Sequence, residues 1–469
     1  MQTLWEIGGA LRFFIPVLAF LLAASALAQV PPAPPPPEQP EQPEGAQPEY
    51  SGPVILSRGS GPSITRSREL LRLRPFLQVS GTYDTGLTAV SVTPQGEVLD
   101  QDAYGAQASF GVSGFHSWRR SLLGLNYRGN LRHYSRNSYH DGFDNFFSLN
   151  FVHQPSRRLV FSLSPSLASY SYSYGGVLPM TGSYAYDPDL AGLTQDQLFD
   201  NRTNLVTAAG RLVYLASPRL SFGIGGTGFA VRRRSRALVG VQGYQAVGDV
   251  AYRLSRFQTL GVDYSFHHYD FTNYFGSADM HGVALNYSVQ MGRYWTLRFR
   301  GGGYRLELVA LQRVPLDPVI AAIIGQRAAV SVFYKVSYLP NFEADLTRTF
   351  RRASLSFHYL RSVSPGNGVY LTSGGESGGA SYHYSGIRRV SLGATASYHT
   401  YRALMQNLGK YHAYQAGGSA GFKLRRSLSL TASAHARRYE LRGTGFNRVS
   451  YGFAVGLGFH PGEIPFSIW

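Results

Sequence analysis

The 469-residue sequence predicts an all-β fold: a transmembrane, antiparallel, up-and-down β-barrel of about 18 strands with a disordered, Pro-rich N-terminal arm. Three observations predict it. Apolar and polar residues alternate strictly in segment after segment. Between 390 and 399, Val390, Leu392, Ala394, Ala396 and Tyr398 share one parity, and Ser391, Gly393, Thr395, Ser397 and His399 share the other. A period of two is a strand with one apolar and one polar face. An arginine-centred turn recurs at a nearly fixed interval, and the N-terminus carries an export signal.

That signal comes first in the chain. "FFIPVLAFLLAAS" follows the single cation Arg12 and is too short to cross a bilayer comfortably as a helix. Ala26-Leu27-Ala28 supplies the small-x-small cleavage site, so residues 1–28 read as a signal peptide. Residues 29–74 form a Pro-rich periplasmic linker. Its first part, "QVPPAPPPPEQPEQPEGAQPEY", favours extended polyproline II and buries no core. Its last part, "SRELLRLR", suits a short helix. The sequence has no Cys, so the fold does not rely on disulfides in an oxidising compartment.

Residues 75–460 hold the repeat. Arg120, Arg158, Arg219, Arg256, Arg293, Arg352, Arg389 and Arg426 sit in successive turns such as "WRRSL", "SRRLV", "IRRVS" and "LRRSL". The interval is 37 or 38 residues, except for two gaps of 61 and 59 that each contain a loop-like insertion. One unit holds two strands of about 13 residues, one tight turn and one longer loop. A propeller blade of similar length would hold four short strands. Two long strands per unit instead suit a barrel whose strands cross a bilayer at a tilt. Eight such turns separate nine hairpins, which gives 18 strands from "PFLQVSGTYD" to "RVSYGFAVGLGF". Residues 461–469 remain as a tail, in which Pro461 and Pro465 oppose simple continuation of the last strand.

The faces identify the two solvents. Leu428, Leu430, Ala432, Ala434 and Ala436 alternate with Ser429, Thr431, Ser433, His435 and Arg437. Leu260, Val262, Tyr264 and Phe266 alternate with Gly261, Asp263, Ser265 and His267. Eighteen strands enclose too wide a bore to fill with side chains. The polar face therefore meets water and the apolar face meets lipid. Trp118, Trp295, Tyr170, Tyr172 and Tyr269, near strand ends, suit interfacial girdles.

At this point the chain resembles porin-like outer-membrane β-barrels of Gram-negative-type bacteria. The resemblance rests on the strand pattern and on Ser450-x-Gly452-x-x-Val455-x-Leu457 followed by Phe459, which looks like the C-terminal signal read by barrel-assembly machinery. "FLQVSGTYDTGL" is fainter and looks like the first strand of barrels encoded with exopolysaccharide-export systems. A plugged TonB-dependent receptor would need more strands and a larger N-terminal domain. The resemblance implies an integral outer-membrane location with the N-terminal arm and the C-terminus in the periplasm. It implies contact with outer-membrane lipid, lipopolysaccharide and the assembly machinery, and it is compatible with a homo-oligomer.

The alternation assigns the lumen side chains. Arg128, Arg132, Arg211, Arg253, Arg298, Arg300, Lys423 and Arg437 are the expected basic lining, and Asp249, Asp263, Glu343 and Asp345 the acidic lining. Basic rings favour anions. The formal charge of +17 agrees in sign, although a GC-rich genome also raises arginine, and all but three of the 44 basic residues are arginine. The longest loop, 173–203, is the third outside loop and is similar in place and length to the pore-narrowing loop of porins. It would bring Asp187, Asp189, Asp196 and Asp200 towards the lumen. In the sixth loop, Asp317 and Pro318 read as N-cap and first helical residue and Gly325 as the stop, so a short helix would bury Val319, Ile320, Ile323 and Ile324.

No catalytic residue, cofactor or metal site is expected. The 13 His are scattered, and the one adjacent pair, His267-His268, points to opposite faces of its strand. The expected function is a water-filled outer-membrane channel for small polar, in particular anionic, solutes. An exopolysaccharide export or assembly component and a lipid-acting barrel enzyme are the alternatives. Export and the strand repeat argue against nucleic acid as a partner.

Overall fold

The computed structural model describes residues 70–85, 102–135, 141–170, 203–233, 239–272, 274–315, 328–365, 371–404, 410–442, 446–461 and 464–467, with five positions between 317 and 325. The strands are β1 (Leu70–Asp84), β2 (Ala103–Ser117), β3 (Ser121–Tyr134), β4 (Gly142–Ser156), β5 (Leu159–Tyr170), β6 (Thr203–Leu215), β7 (Leu220–Arg233), β8 (Gly240–Arg253), β9 (Gln258–Thr272), β10 (Gly276–Met291), β11 (Trp295–Pro315), β12 (Ala328–Thr349), β13 (Ala353–Ser364), β14 (Ser373–Ile387), β15 (Val390–Ala403), β16 (Tyr411–Lys423), β17 (Leu428–Leu441), β18 (Phe446–Phe459) and β19 (Ile464–Ser467). From β1 to β18 each pairs antiparallel with its sequence neighbours. The sheet closes because β1 also pairs with β18, Asp84 opposite Gly452 and Leu77 opposite Phe459.

β19 resumes the last stave. Ile464–Ser467 pairs with Leu73–Leu70, on the same side of β1 as β18. The barrel therefore has 18 staves, the number that the turn repeat predicts. Two expectations at its ends change. Leu70–Arg74, expected in a helix, begins β1, with Leu70–Leu73 paired to β19 and Arg72–Arg74 to β2, because these strand partners satisfy more backbone groups than one helical turn would. The tail does not end the pairing at Pro461. β19 pairs with β1 on one side only among the described residues, so Pro465 costs no ladder bond on its other side. The signal peptide and most of the Pro-rich arm lie outside the described residues.

The Arg turns hold neighbouring hairpins together. The carbonyls of Arg120, Arg158, Arg219, Arg352 and Arg389 accept the N–H of Gln154, Leu215, Arg253, Ser385 and Lys423, at 2.7–2.8 Å. Each bond reaches past the turn's own hairpin to the strand that closes the next one. Two guanidinium groups do the same work, Arg120 donating to the Pro155 carbonyl at 3.1 Å and Arg352 to that of Gly386 at 3.3 Å. Arg389 has φ of +68°, a left-handed conformation in the two-residue β14–β15 turn.

The two faces differ as the alternation predicts. One parity carries large exposed apolar side chains, including Ile224 (64 % exposed), Val262, Val283, Val455 and Leu457. The other carries Asp263, Ser265 and His267 on β9, all buried. In a closed barrel the face that loses solvent is the enclosed one. An apolar outer face continuous around 18 staves far exceeds what a soluble monomer leaves to water, and it fits lipid. Tyr269 falls on the enclosed parity at 2 % exposure, so it is not a girdle residue, whereas Trp118 is exposed near a turn.

The enclosed face is not wet throughout. Near the ends of the strands away from the Arg turns, Phe146, Leu205, Val231, Val241, Tyr269, Met280, Leu306 and Leu308 pack into one apolar cluster with Val363 and Leu371. The last two flank the seventh outside loop. Val363 to Pro365 and Leu371 to Ser373 are all buried, so this loop's ends fold onto the β4–β11 wall. The third loop, expected to narrow the pore, lies outside the described residues. In the sixth loop Asp317 accepts the Val319 N–H at 2.8 Å, Val319, Ala322 and Ile323 are helical, and Gly325 has φ of +72°. The expected cap and stop are therefore in place, and the residues between these positions lie outside the described ones. Val319 and Ile323 are not buried as expected, being 67 % and 79 % exposed, while Ile320 and Ile324 lie outside the described residues.

Candidate functional site: the enclosed wall of the barrel

β6 to β12 bring the charged residues together. Arg300 on β11 grips Asp263 on β9 with two bonds, Nη2 to Oδ2 at 2.6 Å and Nε to Oδ1 at 3.0 Å. The bridge crosses β10, whose Asn286 donates to the same carboxylate at 2.6 Å. Arg211 on β6 reaches across β7 to Asp249 on β8 at 2.7 Å. The glycine at 223 makes this possible, since a Cβ there would run into the Asp249 carboxylate. On β11 and β12, Arg298 stands opposite Asp345 and Arg300 opposite Glu343. With its side-chain amide turned over, Asn341 accepts from Arg300 at 2.7 Å and from the Tyr304 hydroxyl at 2.9 Å.

The other side has fewer charges. Arg132 pairs with Asp144 at 2.7 Å. His435 and Arg437 lie 3.7 and 4.0 Å from Asp84. The parity of the sequence picks out Arg132 and Arg437 but leaves Asp84 and Asp144 unmarked. Both sit near strand ends, where the alternation gives way to loop composition. Arg128 is exposed on the enclosed parity and has no ion pair among the described residues. Arg253 and Lys423 end their strands at the turns, and Arg253 donates to the Ser255 carbonyl at 3.0 Å. They belong to the turn rim rather than to mid-barrel. Asp187, Asp189, Asp196 and Asp200 lie outside the described residues.

Much of the remaining wall is hydroxyl and amide. Ser109 donates to Asn130 at 3.0 Å, Ser164 to Asn150 at 3.1 Å, and Ser356 and Ser381 meet at 2.6 Å. Gln78 on β1 donates to Thr431 on β17 at 3.2 Å, across β18. That reach needs the small inward residues Gly456 and Gly458 of β18. At Gly452 a Cβ would run into the His435 ring. Side chains from one stave thus lie flat over glycine of the next, which keeps the wall thin.

The outward face has its own polar boundary. Along β9 the outward residues change from Val262, Tyr264 and Phe266 to His268 and Asp270. His268 binds Asp279 at 2.6 Å and Asp270 at 3.2 Å, while Tyr264 meets His281 at 2.7 Å. His267, the other half of the pair, is buried on the enclosed face, as strand geometry requires.

No protein-family profile matches the chain, and no curated protein matches it. Among solved structures it is similar to OpdQ of Pseudomonas aeruginosa, with 9 % identity, a TM-score of 0.41, and coverage of 85 % of this chain and 98 % of that one. It is similar to OccAB4 of Acinetobacter baumannii, with 10 % identity, a TM-score of 0.42, and coverage of 86 % and 99 %. A third is OccK2 (OpdF) of Pseudomonas aeruginosa, crystallised in complex with glucuronate, with 10 % identity, a TM-score of 0.41, and coverage of 83 % and 98 %.

Proposed function

We propose that this chain is a porin-like channel of the bacterial outer membrane that passes small polar solutes through the barrel. The observation that carries the proposal is the division of the faces: 18 closed staves, apolar and exposed outside, polar inside. Such a wall satisfies every requirement for crossing lipid with strands, because closure leaves no unpaired edge. Ser121 and His153 meet at 2.8 Å where β3 and β4 approach the turns, but no acidic side chain bonds His153 among the described residues, and the channel reading takes precedence over a lipid-acting enzyme.

Ion preference follows from what is left after pairing. Arg132, Arg211, Arg300 and Arg437 face acidic partners, so their charge is largely cancelled. Arg298 stands opposite Asp345, and Arg128 with the rim residues Arg253 and Lys423 remain, which gives a weak anion preference. Reversal potential across a salt gradient tests it. The expected result is a modest anion preference that Arg128→Ala with Arg253→Ala and Lys423→Ala brings close to neutrality. Cation preference in the unaltered protein would contradict it. Liposome swelling tests the channel itself: small neutral and singly charged solutes should enter at rates ordered by size.

A further inference from the structure

We propose that the lumen recognises neutral, polyhydroxylated solutes of the saccharide class rather than anions. The inference rests on the channel reading and names its substrate.

The charged and uncharged parts of the wall are not equally available. On β9 the enclosed residues Thr259, Asp263, Ser265 and His267 are buried along the whole strand. The ion pairs of β6 to β12 share that wall: both partners of Arg300–Asp263 are nearly inaccessible, and so is most of Arg211–Asp249. On β16 and β17, by contrast, the enclosed Ser419 and Ser433 are exposed, and Gln415 and Thr431 are half-buried. A solute in the open part of the bore therefore meets the hydroxyl and amide groups of β16 and β17, with the ion pairs of β6 to β12 already neutralised and Arg128 and the rim residue Lys423 as exposed cations.

A second observation points to a ligand on the neighbouring staves. Ser362 on β13, Ser373 on β14 and Ser397 on β15 are all more than nine-tenths buried, and the hydroxyl of each has no hydrogen-bond partner among the described residues. All three lie on the enclosed parity of adjacent staves. Thr259 and Ser265 on β9 share this state, so unpaired buried hydroxyls recur around the enclosed face, and each calls for a partner beyond the chain's own groups. A hydroxyl both donates and accepts. The matching solute has many groups with the same dual capacity, and sugars do. A carboxylate only accepts, so it would satisfy half of what this wall presents.

The test uses the full mature chain reconstituted in planar bilayers, with maltotriose and raffinose as probes. Polyethylene glycol of about the same mass is the control, being neutral but almost without hydroxyl groups. The expected result is a saturable reduction of ion current by a trisaccharide, with half-block at a concentration about tenfold below that of polyethylene glycol. Gln415→Leu combined with Ser397→Ala should abolish the difference while conductance persists. Equal effects of both trisaccharides and polyethylene glycol in a conducting protein would overturn the inference and leave the channel standing. So would saturable block by citrate with none by sugar. If the folded barrel does not conduct, the channel reading fails separately. Quenching of its intrinsic fluorescence by the same sugars in detergent then decides the inference: saturable quenching supports it, and no response to either sugar overturns it.

Discussion

Arg300 and Asp263 show how a single residue on the enclosed face can be read from sequence and yet be misjudged. Parity places both inside, and both are inside. Their charges then look like part of a basic lining. The structure joins them in a two-point bridge with almost no solvent, and Asn286 and Asn341 complete it. Sequence distance hides this, because the partners are 37 residues apart on strands separated by a third. Removing one partner strands the other in a buried site, at a cost of about 3 kcal/mol. Asp263→Ala should therefore lower the urea midpoint of the folded barrel in vesicles clearly, while Asp263→Ala with Arg300→Met should recover most of the loss. Recovery failing in the double variant would contradict the pairing as the cause. At Gly452 a larger residue should act differently. Gly452→Val displaces His435 from beside Asp84 and narrows the bore, so single-channel conductance should fall although the barrel still forms.

The strands and tight turns were the most legible elements, for a physical reason. A stave has one solvent on each side, so its alternation is unbroken, and each turn must staple the next hairpin. The repeat of arginine has its counterpart in the bonds from the carbonyls of Arg120, Arg158, Arg219, Arg352 and Arg389. Arg389 itself pays a conformational penalty at φ of +68°. Arg389→Gly should stabilise the barrel by about 1 kcal/mol, read as a higher urea midpoint, and Arg389→Val should lower it. No change in either variant would argue against strain at this turn. The ends of elements were less legible. "SRELLRLR" has helical composition, and only strand partners distant in sequence make it part of β1. The helix cap at Asp317 is local and was readable, whereas the exposure of Val319 and Ile323 depends on packing that no local pattern encodes. The burial of the seventh loop's ends is likewise a tertiary outcome, since Val363 and Leu371 find their apolar partners on β4 to β11.

At the scale of the whole molecule, closure decides the chemistry. Joining β1 to β18 leaves one outer face, which is apolar, and one enclosed face, which is polar over most of its depth. The change from Phe266 to His268 and Asp270 on β9 marks where the outer apolar band gives way to a polar boundary. Burial is uneven inside, with the charged wall of β6 to β12 covered and the hydroxyl wall of β16 and β17 accessible. The account thus requires a conducting path that runs beside the hydroxyl wall. The most direct test is planar-bilayer conductance of the refolded mature chain. The account predicts discrete, steady current steps with a weak preference for anions. A correctly folded, heat-modifiable barrel that inserts but passes no current would contradict it.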